Sequence, residues 1–229
     1  MIKRVLKIVI GIELVYLLLV NGALQLQLTQ DLVNKIRPEK FYVTWEQAWS
    51  WYPFRVHAEG IFANGQARTQ QWEVTATSAS GSISVLPLIL KHVYLSDIQA
   101  ENIDYRQRPR LKPDIDYSSK LAYFPEIQGR EVVPVETAEQ KKKRPWKVHV
   151  NGAQAEGEHR FWIFNLQGTA SGTATGNLYT ESRRGAFWLD VEQFELDLGP
   201  AFLNGNAEAF HGGTAEGSLG FSPLVRAEH

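Results

Sequence analysis

The chain has no cysteine, which removes disulfides, thiolate metal sites and thiol nucleophiles together. Packing and strand pairing must hold it. It also lacks an excess of charge. Its 24 Lys and Arg stand against 25 Asp and Glu, so no concentrated basic face offers itself to phosphates, and nucleic acid is not an expected partner. Catalytic signatures are missing as well: there is no G-x-S-x-G elbow, no phosphate-cradling glycine loop and no H-E-x-x-H. None of the six histidines, His57, His92, His149, His159, His211 and His229, falls in a metal-ligand spacing. His211, in a glycine-rich stretch, comes nearest, and a turn or surface histidine explains it better. Gly168, Gly172 and Gly176 recur every four residues, but glycines within strand-like sequence mark bulges or close backbone approach rather than a nucleotide site. The acidic pairs Glu192 with Glu195 and Asp190 with Asp197 have no visible partner for acid–base work. The expectation is a protein that is not an enzyme, with no catalytic residue, no cofactor and no metal.

What the chain does have begins at its N-terminus. Met1-Ile-Lys-Arg4 is a short basic start, and residues 5–24 are mostly apolar, about enough at ~1.5 Å per residue to cross a bilayer core. The positive-inside bias holds such a start on the cytoplasmic side. Lys7 must snorkel, and Glu13 sits mid-span, where a carboxyl calls for a partner inside a helical bundle. A cleaved signal peptide is the competing reading; Val20-Asn21-Gly22 and Asn21-Gly22-Ala23 are poor cleavage sites, which favours a retained anchor. The expected topology is a single-pass inner-membrane protein with its soluble domain exported to the periplasm.

After the anchor (1–24), a membrane-proximal connector (25–53) carries a possible helical continuation that Pro38 would stop. It also holds Trp45, Trp49, Trp51 and Tyr52, which suit either a lipid–water boundary or a first core layer. From Phe54 the period changes to two: Phe54, Val56 and Ala58 alternate with Arg55, His57 and Glu59. Asn64-Gly65 reads as a hairpin turn, Gln70 to Ala79 as a second strand, Ile83 to Leu90 as a short helix or buried crossover, and Tyr94 to Tyr105 as strand. These make a first β unit (54–108). A Pro-rich linker (109–145) follows, with a basic run, Lys141-Lys-Lys-Arg144, that usually means a solvated face. A second β unit (146–224) of about six strands should form an antiparallel meander. Its strand at 186–198 changes parity between Phe187, Leu189, Val191 and Phe194, Leu196, Leu198, which demands a bulge near Glu192-Gln193. Hydrophobic content of 44% is ample for a core. The fold class is mainly β: an N-terminal transmembrane helix followed by a curved antiparallel sheet, either a β-groove or sandwich-like.

The single span, Arg55-Val-His-Ala-Glu-Gly60, Gln71-Trp-Glu-Val74, the apolar connector at 83–90 and Ile98-Gln-Ala-Glu-Asn-Ile103-Asp-Tyr105-Arg resemble the start of AsmA-like bacterial envelope proteins, over roughly residues 5–108. The resemblance implies an anchored, repeating β-groove with an apolar concave face that handles or moves lipids between membranes. The present chain is short for such a role, its ten or so strands spanning ~50 Å at ~4.8 Å each. Independently of the family, a sheet with one apolar face must cover it with another sheet, a partner protein or acyl chains. Phe161, Ile163, Ala174, Phe187, Leu189 and Val191 are the candidate lining residues, with small residues at 170, 172, 174 and 176 leaving room. Two functions remain open: a lipid-binding or lipid-transfer module, whose partners are membrane lipids, or an accessory scaffold subunit that docks on other membrane or envelope proteins, with Glu13 pairing inside the membrane. The oligomeric state is not legible.

Overall fold

The computed structural model describes residues 2–36, 38–67, 69–130, 146–181 and 187–222. The basic run at 141–144 and the C-terminal residues from 223 lie outside them.

Helix α1 (Ile2–Gln25) is long and apolar enough to cross a membrane from Lys3 onward. The continuation expected after it is a separate short helix, α2 (Gln27–Lys35), because Leu26 between them is extended. Eleven strands follow: β1 (Phe41–Thr44), β2 (Gln47–Tyr52), β3 (Arg55–Gln66), β4 (Gln70–Ser84), β5 (His92–Glu101), β6 (Asp104–Pro109), β7 (Lys147–Ile163), β8 (Leu166–Glu181), β9 (Phe187–Leu203), β10 (Ala207–Phe210) and β11 (Gly213–Phe221). Two single-turn helices, α3 (Val85–Leu88) and α4 (Ser118–Leu121), interrupt them.

All eleven strands join one sheet, so among the described residues no second sheet faces it and the sandwich alternative falls away. The path has eight lanes, because β1 and β2 share β3 as neighbour, β5 and β6 both lie between β4 and β7, and β10 and β11 both pair with β9. Pairing is antiparallel except where β7 meets β5 and β6 in parallel. The connector and both β units therefore build one sheet, and seven inter-lane steps of ~4.8 Å make it ~34 Å wide, shorter than the expected groove.

Several boundaries differ from the pattern in the sequence. Asn64-Gly65 is not a turn: Asn64 pairs with Glu73 and Gly65 with Trp72, and the chain reverses after Ala67, whose N–H donates to the Gln70 carbonyl. Asn64 is there for its side chain, which donates to the Gln128 carbonyl at 2.8 Å and accepts from Arg130 Nε at 3.1 Å. Gly65 is there for closeness, since a Cβ would stand 2.5 Å from the Trp72 ring. The second β unit holds five strands rather than about six, because β7 runs unbroken through a bulge at Gly152 (φ +67). Residues 110–130 are no free linker. They lie on the polar face of β3, β4 and β6, where Arg108 donates to Gln71 Oε1 (3.0 Å) and to the Arg130 carbonyl (2.8 Å), and Glu73 accepts from the Gln128 N–H (3.0 Å). Burial lowers the Arg130 guanidinium pKa from its ordinary value, with Glu39 opposing the shift.

The helices close the first edge of the sheet. Asn21 accepts from the Ser50 N–H at 2.7 Å and donates to its carbonyl at 3.0 Å, Gln25 donates to the Ala48 carbonyl, and Asn34 makes the same two-way pair with Val43. These side-chain amides stand in for a missing neighbouring strand and blunt an edge that would otherwise pair with other chains. They also lay α1 antiparallel along β2. Asn21→Leu would leave the Ser50 N–H and carbonyl without those partners, at a cost of about 2 kcal/mol. The expected result is a fall in apparent Tm of roughly 4–8 °C for the full chain in detergent, with faster amide exchange at Ser50; unchanged values of both would show that the clamp carries no stability.

Candidate functional site

Residues paired across neighbouring strands point to the same side of a sheet. Following the register across the lanes gives three apolar rows. The middle row is almost all alanine: Ala48, Ala58, Ala79, Ala100, Ala155 and Ala174 are matched strand to strand, ending on Phe194 and Gly217. Below it run Ile83, Leu95, Val150, Leu178, Leu189 and Phe221. Above it run Ala63, Val74, Tyr105, Phe161, Gly168 and Ala201. Between these two rows β4 passes without a bulge, so Val74, five residues from Ala79, turns to the opposite face and the upper row with it. On the shared face, a row of methyl groups beside a row of larger side chains is a shallow trough crossing the strands. Its first lane ends on Ala48, fully buried beside the last turns of α1.

Two lines of irregular residues cross the sheet, and the lower one keeps the middle and lower rows on one face. The upper line passes the gap between β1 and β2, Gly60 (φ +60), Asn102 (φ +52), Gly157 (φ +99) and Gly172 (φ +138), and ends at Gly199-Pro200, where β9 slips against β8. Glu101 faces Glu156 but Asp104 faces Arg160, so β7 gains one residue on its neighbour at this crease. The Asn102 side chain holds the slip by accepting from the Glu158 N–H at 2.9 Å. The lower line passes Asp97 (φ +50), Gly152, Glu192 and Gly217. There Asn177 accepts from the Gly152 N–H (2.8 Å) and donates to Glu192 (2.7 Å). Each register slip resets the inside–outside alternation and bends its strand; on β5, β7 and β9 the lower slips bring Leu95, Val150 and Leu189 to the face of Ala100, Ala155 and Phe194.

Of the six candidate residues, Ala174, Phe187, Leu189 and Val191 lie on the alanine face, while Phe161 and Ile163 belong to the upper row. Phe161 and Ile163 lie on β7, Ala174 on β8, and Phe187, Leu189 and Val191 on β9 below the Glu192 bulge. Thr175 pairs with Gln193 and Gly176 with Val191, leaving Glu192 as the extra residue at the position the parity change requires. Phe161 packs where a Cβ on Gly168 would touch its ring, and Phe187 meets Phe221 edge-on at 6.0 Å. Most of the large apolar residues of this face are only half-buried, whereas Ala48, Leu111, Ile127, Ala170 and Ala201 are buried. Half-burial with no second layer among the described residues is what a curved, self-shielding face produces.

A cavity of about 1230 Å³ follows the upper crease, with mixed walls that include Glu46, Ile61, His159, Arg160, Ala170 and Asp197. His159 Nδ1 accepts from the Ile103 N–H at 3.2 Å. The opposite face of the lower tier carries a ladder of rings, His92, Tyr94, His149, Tyr179 and Trp188, with neighbouring centroids 4.9–6.2 Å apart. His57 stacks on Trp49, and His211 pairs with Glu208 at 2.6 Å. Ring stacking and surface pairing account for these histidines. Glu13 faces outward on α1 and has no partner within the described residues.

The middle row was not visible in sequence because its members are spread over six strands; only the run at 170–176 shows as a local pattern. Compared with known proteins, the chain matches no protein-family model and no curated sequence.

Proposed function

We propose that the protein is a membrane-anchored, non-enzymatic envelope module that holds lipid acyl chains along its alanine-floored trough. The observation that carries this reading is the apolar face of two rows, the alanine floor and the row from Ile83 to Phe221, with no second sheet over it among the described residues. A face of this kind needs a cover, and acyl chains are the cover nearest a protein tied to a bilayer. Its ~34 Å width is about twice the ~15 Å depth of one hydrocarbon leaflet, enough for a chain to lie across the strands. Because α1 runs along β2, an upright helix sets the trough parallel to the membrane surface. That favours holding a lipid at the surface of the inner membrane, on the periplasmic side, over bridging to a second membrane. The AsmA-like pattern of residues 5–108 supports the same reading. Native mass spectrometry of the gently purified chain should find lipid bound, and the variant that decides the matter is Ala174→Trp.

A second reading, a scaffold subunit of a larger inner-membrane complex, is favoured by Glu13, an outward-facing carboxyl on a membrane-spanning candidate. On that reading Glu13→Leu leaves insertion intact and weakens co-purification of a helical partner. Unchanged recovery of every partner and an unchanged oligomer would remove Glu13 from any pairing role.

A further inference from the structure

The level at which α1 meets the sheet fixes where the membrane must lie. Tyr16 stacks edge-on with Phe54 at 6.3 Å and accepts from its N–H at 2.9 Å, while at the other end of the contact Trp45 Nε1 donates to the Leu24 carbonyl at 2.9 Å. Eight residues of helix, about 12 Å, therefore run beside the strand end. If the sheet stood wholly above the bilayer, only residues 3–16 would remain to cross it, about 21 Å of helix against a hydrocarbon core of ~30 Å. Leu18 and Leu19, 75% and 68% exposed on the side away from β2, would then stand in water.

The end of the sheet at that level is apolar too. Trp51, Tyr52 and Phe54 lie in the turn from β2 to β3, and Leu86, Ile89 and Leu90 in and after α3; all six are more than half exposed. The two segments adjoin, since the Ile83 N–H donates to the Phe54 carbonyl at 2.8 Å. Lysines follow at once: the Lys147 N–H donates to the Lys91 carbonyl at 3.0 Å, placing two cationic residues along the rim of the apolar end. Apolar tip, aromatic girdle and lysine rim is the sequence of chemistries met from acyl chains through headgroups to water.

From these contacts we infer that this end of the sheet is a foot inserted about 10 Å into the leaflet around α1, occupied by lipid acyl chains rather than by protein. The foot supplies the depth that the helix alone lacks, and it brings the lowest apolar row, from Ile83 to Leu189, to the acyl layer without an aqueous gap. The inference rests on α1 as an anchor and not on any cargo of the trough.

Because the chain has no cysteine, single labels are unambiguous. Leu18→Cys, Leu86→Cys, Ile89→Cys and Asn206→Cys would each carry a fluorophore in full-length protein. Each is reconstituted in phosphatidylethanolamine–phosphatidylglycerol vesicles with and without nitroxide-bearing acyl chains. Labels at 86 and 89 should be quenched within about twofold of the label at 18, and the label at 206, at the far end of the strands, should not be. Quenching at 18 without quenching at 86 and 89 overturns the foot and leaves the anchor standing. No quenching at 18 removes the anchor and the foot together, and quenching at 206 means a sheet lying flat on the bilayer, which also overturns the inference.

Discussion

Replacing Gly172 with alanine should lower the apparent Tm of the full chain by roughly 6–12 °C, while the same change at Gly220 should leave it almost unmoved. The two glycines lie on adjoining stretches of the same sheet and differ in what surrounds them. Gly172 sits at φ +138, a conformation that costs an L-residue about 1–3 kcal/mol. A Cβ there would also run into the backbone carbonyl of Glu195 on β9. Backbone cannot swing aside as a side-chain tip can, so β8 and β9 must part or the turn must straighten, for a total near 3 kcal/mol. Gly220, on the outer strand, has nothing within 4 Å of its would-be Cβ. The measurement is a melting curve for both variants beside the wild type in one detergent. Equal melting of all three would mean that the upper crease is not locked by close backbone contact and does not set the curvature.

That crease also explains which parts of the molecule could be read from the chain. Local periodicity was enough to place α1, most strand centres and the parity break at Glu192, because a bulge inside one strand leaves its signature in that strand. It was not enough for the other bulges. Asn102 and Gly157 look like turn or spacer residues until register shows them side by side, and the slip they absorb is a property of neighbouring strands. Asn64-Gly65 misled for a related reason: a dipeptide with the right conformational freedom for a hairpin is used here for a side-chain contact to residues 128 and 130 and for clearance over Trp72. The polar residues Asn21, Gln25 and Asn34 carry no local signal of a role in the sheet, yet they complete its edge. Phe187, Leu189 and Val191 keep their alternation within one strand and so share a face with Ala174, whereas the alanine floor beside them, contributed at one residue per strand, had no local pattern to announce it.

Ala174→Trp should abolish lipid retention while the chain stays folded. Ala174 lies on the floor between Ala155 and Phe194, flanked on its own strand by Gly172 and Gly176, so an indole there meets few side chains on either side and projects into the open trough. In a close-packed interior the same added volume would cost about 1–3 kcal/mol or more, because neighbours would have to shift. Over an uncovered face it costs little and instead fills the space an acyl chain would take, blocking passage across the middle lanes. The two consequences are separable: lipid recovered per protein by native mass spectrometry reports occupancy, and the melting curve reports packing. Lipid on the wild type, its loss in the variant, and a Tm within a few degrees would support the trough as the binding site. A wild type that carries no lipid, together with a variant that melts far below it, would mean that this face is filled by protein, and the scaffold reading would take its place.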